Sequence, residues 1–320
     1  MLSLLPVGAA MAQEQPATDQ ANGVSIASET PAPHETSAQT QPTTAPAPDN
    51  IGNPFVLLLP LAVGTVLLGI WIVRSVKSPE PLRLRNAPRR PNRLSPLLVL
   101  GPFVAYSLLG LPAVLPAVRA DVHLQLLATL FAQGGWAAAA LLLAAWAFDR
   151  GLRDGGFGLG LRHAVTDAAQ AGMALLTVLP VVMGTLLASH LLVDWAVQQG
   201  LMPLESVRPN IMLERLHSVG LLGKGLIIVS AVVLAPLAEE LFFRGLLQSM
   251  LRNYLSPWGA ILVASLLFAL VHLAAIRDVI PLLPLAIVLG YTYERHGRLT
   301  IPIFLHALFN ALMLAAALAQ

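Results

Sequence analysis

The sequence has no cysteine and few charged residues. Of its 320 residues, 11% are Asp, Glu, Lys or Arg and 56% are hydrophobic. The absence of Cys excludes disulfide bonds, thiolate metal ligands and a cysteine nucleophile together. In soluble domains about a quarter of the residues are charged, so this composition excludes an ordinary soluble domain and predicts a polytopic membrane protein.

The sequence also lacks the ten-residue segments of alternating polarity that are typical of a membrane β-barrel. Instead, it contains apolar runs close to the ~20 residues that a helix needs to cross a bilayer. We predict an all-α transmembrane bundle of about eight spans, at residues 51–73, 97–118, 124–148, 168–193, 225–250, 259–275, 279–293 and 300–318. Because the span at 279–293 is short and contains Pro281 and Pro284, we expect it to be tilted, broken or partly re-entrant.

The N-terminal region has no Lys or Arg before Arg74. Residues 1–12 end in Ala10-Met11-Ala12 and resemble the remnant of a signal peptide, but they lack its basic n-region. Residues 13–50 are rich in Ala, Pro, Thr and Gln, which predicts a disordered tail.

Basic residues predict the orientation of the chain in the membrane. The first loop contains a basic cluster: Arg74, Lys77, Arg83, Arg85, Arg89, Arg90 and Arg93. Such clusters stay in the cytoplasm. We therefore predict an integral protein of a bacterial inner membrane with its N-terminus outside. Since the basic residues lie mostly between apolar runs, we interpret them as topological signals and expect membrane lipid, not nucleic acid, as a partner.

Charge is concentrated at one point of an apolar segment, where Glu239 and Glu240 are followed by Arg244. Ionisable side chains inside a membrane cost several kcal/mol and usually mark a functional site. We expect Arg244, four residues after Glu240, to offset one of the two carboxylates. A structural ion pair is the alternative interpretation.

Two further pairs have the four-residue spacing that puts side chains on one helix face, namely Phe268 with His272 and His306 with Asn310. Counted from a turn near 256, Glu239 and His272 lie at nearly equal depth in adjacent antiparallel helices, so we expect them to meet. Counted in the same way from the turn at Gly297, His306 lies several ångströms too shallow to reach Glu239 and His272, unless the last helix begins deeper.

These side chains are the components of a hydrolytic site. A carboxylate can take a proton from water, an imidazole can share or relay that proton, and His or Asn donors can stabilise an oxyanion. Hydrolysis inside a membrane also needs water, so we expect polar side chains around a cavity that opens to one aqueous side.

The motifs Glu-Glu-x-x-x-Arg, Phe-x-x-x-His and His-x-x-x-Asn, in this order, resemble the signature of the CPBP family, which comprises CAAX prenyl proteases and bacteriocin-processing (Abi) enzymes. The resemblance covers residues 221–320, which we define as the catalytic membrane region. Residues 51–220 form the N-terminal membrane spans and carry no transferable motif, so the substrate's identity does not carry over.

The resemblance implies an intramembrane endopeptidase that hydrolyses membrane-associated proteins or peptides. It implies that Glu239 and His272 activate water, while His306 and Asn310 stabilise the oxyanion. Glu240 tunes Glu239 or pairs with Arg244, and Phe268 is a supporting residue in the core.

Metal dependence stays open at the level of the sequence. Family members are described both as metalloproteases and as metal-independent glutamate proteases. A zinc ion would take Glu239, His272 and His306 as ligands, although these three are not closely spaced in sequence. Two other functions also stay open: a non-catalytic membrane scaffold or immunity factor, and a proton-coupled small-solute transporter.

Overall fold

The computed structural model describes residues 54–78, 82–84, 92, 94–148, 151–152, 156–203, 207, 215–216, 218–273 and 275–319. Over these residues the chain is helical and contains no strand, which confirms the all-α prediction. The predictions for the signal-like segment and the polar tail concern residues 1–50, which lie outside this part of the chain.

The N-terminal half contains three long helices and several shorter ones. They are α1 (Pro54–Lys77), α2 (Pro96–Val99), α3 (Gly101–Gly110), α4 (Pro116–Arg119), α5 (Val122–Ala147) and α6 (Ala164–Gln198). A 3₁₀ turn at Leu111–Val114 continues α3, so the predicted span at 97–118 is a series of short helices rather than one.

The C-terminal half contains four helices: α7 (Leu221–Leu251), α8 (Pro257–Leu270), α9 (Ile276–His296) and α10 (Thr300–Leu318). A buried apolar core unites them with α5 and α6. Within the described residues, seven helical segments are long and apolar enough to cross a membrane, and the chain is an integral membrane protein.

Helix α8, the predicted span at 259–275, is shorter than expected. Its 14 residues rise about 21 Å, less than the roughly 30 Å of a hydrocarbon core. Helix α9, by contrast, runs without a break through Pro281 and Pro284, so the predicted break is wrong. Extensive packing against α6 and α8 holds α9 in helical form despite the two missing N–H donors.

Helix α7 is not a regular α-helix. Wide π-helical turns at Val229–Leu234 and Leu241–Gln248 flank the α-helical segment Ala235–Glu240, which carries both carboxylates. Pro236 has no N–H and its ring collides with the preceding turn, which disfavours the ordinary register here. Such π segments are rare and occur frequently at functional sites.

Ion pairs fix the levels at which the C-terminal helices end. Arg252, just after α7, pairs with Glu294 near the end of α9 at 2.8 Å. Arg298 pairs at 2.8 Å with Asp167 of α6, which is also hydrogen-bonded to Thr300. We call this side of the bundle the Glu294 end.

Helix α10 begins directly after these ion pairs. Gly297 turns the chain from α9 into α10 with a φ of 67°, a value that favours glycine. Leu299 then donates its N–H to the carbonyl of Gly158 at 2.8 Å, which ties this turn to the loop before α6. The start of α10 is therefore fixed by backbone as well as side-chain contacts.

Candidate active site

Glu240 joins α7 to α10 inside the bundle. Its Oε1 accepts a hydrogen bond from Nη1 of Arg244 at 2.8 Å and lies 2.7 Å from Nδ1 of His306. All three residues are completely buried. Since a carboxylate beside a guanidinium is an ionised acceptor, Nδ1 of His306 carries the hydrogen. Glu240 therefore orients the imidazole and offsets the buried Arg244 charge.

Glu239 lies on the other side of the same imidazole. Its Oε2 is 3.7 Å from Nε2 of His306, beyond hydrogen-bonding distance. Glu239 is only 2% exposed, and Oε2 has no hydrogen-bond partner among the described residues. The adjacent carboxylates thus differ: Oε1 of Glu240 is engaged by the Arg244 cation, whereas among the described residues no guanidinium pairs with Glu239.

Phe268 lies at the centre of the predicted residues. The guanidinium carbon of Arg244 is 4.5 Å from the centre of its ring, close enough for a cation–π contact. The ring centres of His272 and His306 lie 5.0 and 5.7 Å from that of Phe268. Phe268 therefore packs against Arg244 and both imidazoles.

His272 ends helix α8 with its own ring. In a continuing helix, its backbone N–H would bond to the carbonyl of Phe268; here that N–H bonds to Ala269 instead, at 3.1 Å. Nδ1 of the ring replaces it and lies 2.7 Å from the Phe268 carbonyl. A carbonyl can only accept, so Nδ1 carries the hydrogen and Nε2 of the neutral ring has a free lone pair.

Asn310 lies one turn beyond His306 on α10 and contacts the first π segment of α7. Its Nδ2 donates to the carbonyl of Ala231 at 2.7 Å, which orients the amide. Its second Nδ2 hydrogen and Oδ1 point elsewhere, and Oδ1 has no partner among the described residues. Asn310 thus retains a donor that an oxyanion could use.

Each of the five residues predicted as catalytic has one buried side-chain atom without a hydrogen-bond partner among the described residues. These atoms are Glu239 Oε2, Glu240 Oε2, His272 Nε2, His306 Nε2 and Asn310 Oδ1. Buried polar atoms are nearly always paired, and exceptions need an explanation. Because these five atoms belong to the three motifs, we infer that water or a substrate's polar groups bind there.

The predicted meeting of Glu239 and His272 takes a different form. Because Nε2 of His272 is unpaired and Nδ1 faces a carbonyl, no direct hydrogen bond joins the two residues. The residue next to Glu239 is His306, which the depth count had left too shallow. Helix α9 ends level with Arg252 rather than with residue 256, so α10 begins deeper and His306 reaches both carboxylates.

Comparison with known proteins agrees with the predicted motifs. Residues 222–312 match a family model described as Type II CAAX prenyl endopeptidase Rce1-like. This region is therefore similar to the family of type II CAAX prenyl endopeptidases, in agreement with the resemblance of the three motifs. The match includes all five predicted catalytic residues but none of helices α1 to α6.

Two curated relatives of the chain come from Lactococcus lactis subsp. lactis (strain IL1403). UPF0177 protein YaiF is 38% identical over 85 residues, which are 27% of this chain and 38% of the relative. UPF0177 protein YbdI is 31% identical over 83 residues, 26% of this chain and 44% of the relative. The chain thus spans less than half the length of either relative, and their names state no activity. No solved structure matches the chain significantly.

The side chains of the candidate site do not form a metal-binding group. Among the described residues, no three His, Asp or Glu side chains are placed to hold one ion. Of the ligands predicted for zinc, His272 directs Nδ1 at the Phe268 carbonyl, and Oε2 of Glu239 lies 3.7 Å from Nε2 of His306. The residues therefore do not fit a zinc ion, and we derive no step through a metal.

Sequence reasoning missed the polar contacts that support this site from outside the matched region. Ser230, on the first π segment, donates to Oε1 of Gln133 on α5 at 3.0 Å, and both side chains are buried. A polar glutamine in the middle of an apolar span was the available signal.

Proposed function

We propose that this chain is an intramembrane endopeptidase that hydrolyses peptide bonds of membrane-associated proteins or peptides. One observation carries the proposal: Glu239, Glu240, His272, His306 and Asn310 are all buried, and each has a polar side-chain atom without a partner among the described residues. The similarity of residues 222–312 to type II CAAX prenyl endopeptidases supports the class of reaction. The alternatives of scaffold and proton-coupled transporter are distinguished by the experiment below.

In the proposed reaction, Glu239 is the base. Its Oε2 takes a proton from a water molecule, and the resulting hydroxide attacks the substrate's carbonyl carbon. The proton then passes to the leaving amine, so that water is consumed and two peptide ends are produced. Nε2 of His272, held with its lone pair free, is the second acceptor for this proton or orients the attacking water.

His306 and Asn310 stabilise the negative charge that develops on the carbonyl oxygen. To donate from Nε2, His306 must carry hydrogens on both ring nitrogens, and the Glu240 carboxylate at 2.7 Å offsets part of the cost of burying that cation. Asn310 donates its second Nδ2 hydrogen. Glu240 is thus a positioning residue, because it acts through His306 and Arg244 and does not touch the substrate.

The proposal includes an orientation. With the N-terminus outside a bacterial inner membrane, the Glu294 end faces the cytoplasm. The substrate is a protein or peptide held at the membrane, and lipid surrounds the bundle. Since α1 to α6 lie outside the matched region, the test must include substrates both with and without a prenyl group.

The test uses the purified full chain in liposomes with two internally quenched peptides. Both peptides share one sequence with a C-terminal CAAX motif, and only one is farnesylated at the cysteine. We expect cleavage of at least one peptide, and a loss of roughly 100-fold or more in kcat for Glu239→Gln and for His272→Ala. Asp194→Asn, which changes a carboxylate that pairs with Arg277 and lies outside the three motifs, is the control and should retain activity.

Wild-type rates in both site variants would contradict the mechanism. If neither peptide is cleaved and the liposomes instead show solute flux driven by a proton gradient, the transporter is correct. If neither activity occurs and the substitutions change only thermal stability, the site is structural.

A further inference from the structure

A chain of contacts leads from helix α5 to the predicted oxyanion donor. Gln133, 7% exposed in the middle of α5, accepts a hydrogen bond from the hydroxyl of Ser230 at 3.0 Å. Ser230 is 1% exposed and lies in the first π segment of α7. The next residue, Ala231, provides the carbonyl that holds Asn310.

The π register explains why the Ala231 carbonyl is available. The N–H of Ala235 bonds to the carbonyl of Ser230, five residues before it. In the same register, the carbonyl of Ala231 would pair with the N–H of residue 236. That residue is Pro236, which has no N–H. The carbonyl of Ala231 is therefore left for the side chain of Asn310.

The hydroxyl of Ser230 fixes this segment against α5. An ordinary serine in a helix donates to its own helix's backbone three or four residues earlier. Ser230 donates instead to a side chain of a neighbouring helix, 97 residues away in sequence. A buried acceptor that loses its donor is costly, so the pair resists any rotation of the π segment.

We propose that Gln133 is a positioning residue for Asn310, acting through Ser230 and the Ala231 carbonyl. Helix α5, outside the matched region, is then part of the active site. The positioning of Asn310 by Gln133 does not depend on the activity of the chain, whereas its consequence for cleavage rests on the proposed function.

Helix α5 provides a matched control for Gln133. Thr129 lies one turn earlier, is 6% exposed, and uses its hydroxyl on the Gln125 carbonyl of its own helix at 2.9 Å. Thr129→Val therefore removes a buried polar group from the same helix without touching the path to Asn310. Gln133→Leu removes the acceptor with little change in volume. Ser230→Ala is the milder variant, and Ser230→Thr restores the hydroxyl.

The first measurement needs no activity. Thermal unfolding of the full chain in detergent gives Tm for Gln133→Leu, Asn310→Ala and the double variant. We expect the sum of the two single-variant shifts in Tm to exceed the shift of the double variant, because both substitutions break the same path. Thr129→Val combined with Asn310→Ala should give additive shifts. If Gln133→Leu does not fold, Ser230→Ala replaces it in the cycle.

The second measurement follows farnesylated and unmodified quenched CAAX peptides in liposomes. We expect Gln133→Leu and Ser230→Ala to lower kcat about tenfold, a part of the ~100-fold or greater loss when an oxyanion donor is removed outright. KM should change less than twofold, Ser230→Thr should recover kcat, and Thr129→Val should match the wild type.

The two measurements separate the two proposals. Additive Tm shifts for Gln133 and Asn310 overturn the inference, whatever the activity. Cleavage by the wild type with unchanged kcat in Ser230→Ala also overturns it. If the wild type cleaves neither peptide, the proposed function fails for these substrates, while the coupling in Tm still decides the inference.

Discussion

Replacing Glu240 by Gln should destabilise the fold far more than the same change at Glu239. Glu240 is the buried carboxylate that offsets Arg244, at 2.8 Å, and also binds His306. The substitution keeps an acceptor oxygen and the side chain's shape but leaves the guanidinium's charge uncompensated. Among the described residues, in contrast, no guanidinium pairs with Glu239, whose Oε2 lies 3.7 Å from Nε2 of His306.

The magnitude follows from the burial of the pair. Removing one partner of a buried ion pair costs about 3–5 kcal/mol. Because Gln still accepts a hydrogen bond, we expect the lower value, about 3 kcal/mol. For a chain of this size, each kcal/mol shifts Tm by about 2–4 °C, so Tm should fall by roughly 6–12 °C. Glu239→Gln should leave Tm within about 2 °C of the wild type, on the same scale.

The assay is thermal unfolding of the purified chain in detergent micelles, followed by near-ultraviolet circular dichroism. A second variant tests the cause. Replacing the whole buried pair by apolar groups is often nearly neutral, so Glu240→Leu combined with Arg244→Met should recover much of the lost Tm without recovering peptide cleavage. Equal Tm values for Glu239→Gln and Glu240→Gln would refute the assignment of different roles to the two carboxylates.

Two further substitutions test the shape of the helices. Pro236→Ala should raise Tm but lower kcat on the quenched peptides, because the new N–H competes for the carbonyl that holds Asn310; unchanged kcat would contradict the role of the π segment. Gly64→Ala should lower Tm, since its Cβ would lie 2.2 Å from the backbone oxygen of Leu176, whereas Gly69→Ala, whose Cβ would meet nothing within 4 Å, should not. Equal Tm values for these two variants would argue against the close crossing of α1 and α6.

The sequence was sufficient to propose the residues of the candidate site, because charge and amide groups stand out in an apolar segment. The spacing of His306 and Asn310 also predicted their common helix face. Their partners depended on where each helix begins. The contact between Arg252 and Glu294 sets the level of the α9–α10 turn, and nothing in the local sequence reveals that long-range pair.

The periodicity of the sequence could not predict the π turns of α7. A helix that is apolar almost all round has no clear polar face, so a change of register leaves no trace in the pattern. Pro236 was visible, but its effect on the Ala231 carbonyl depends on the wide register around it. The early end of α8 was hidden similarly, since the apolar run continues to residue 275 while the ring of His272 ends the helix.

That helix end has a consequence for the chemistry of His272. In water a neutral imidazole exchanges freely between its two tautomers, but here only one of them satisfies the carbonyl of Phe268. The fold of α8 therefore fixes the tautomer before any substrate binds. The ring cannot rotate without breaking its contact with the Phe268 carbonyl, so the free lone pair of Nε2 is a property of the folded backbone.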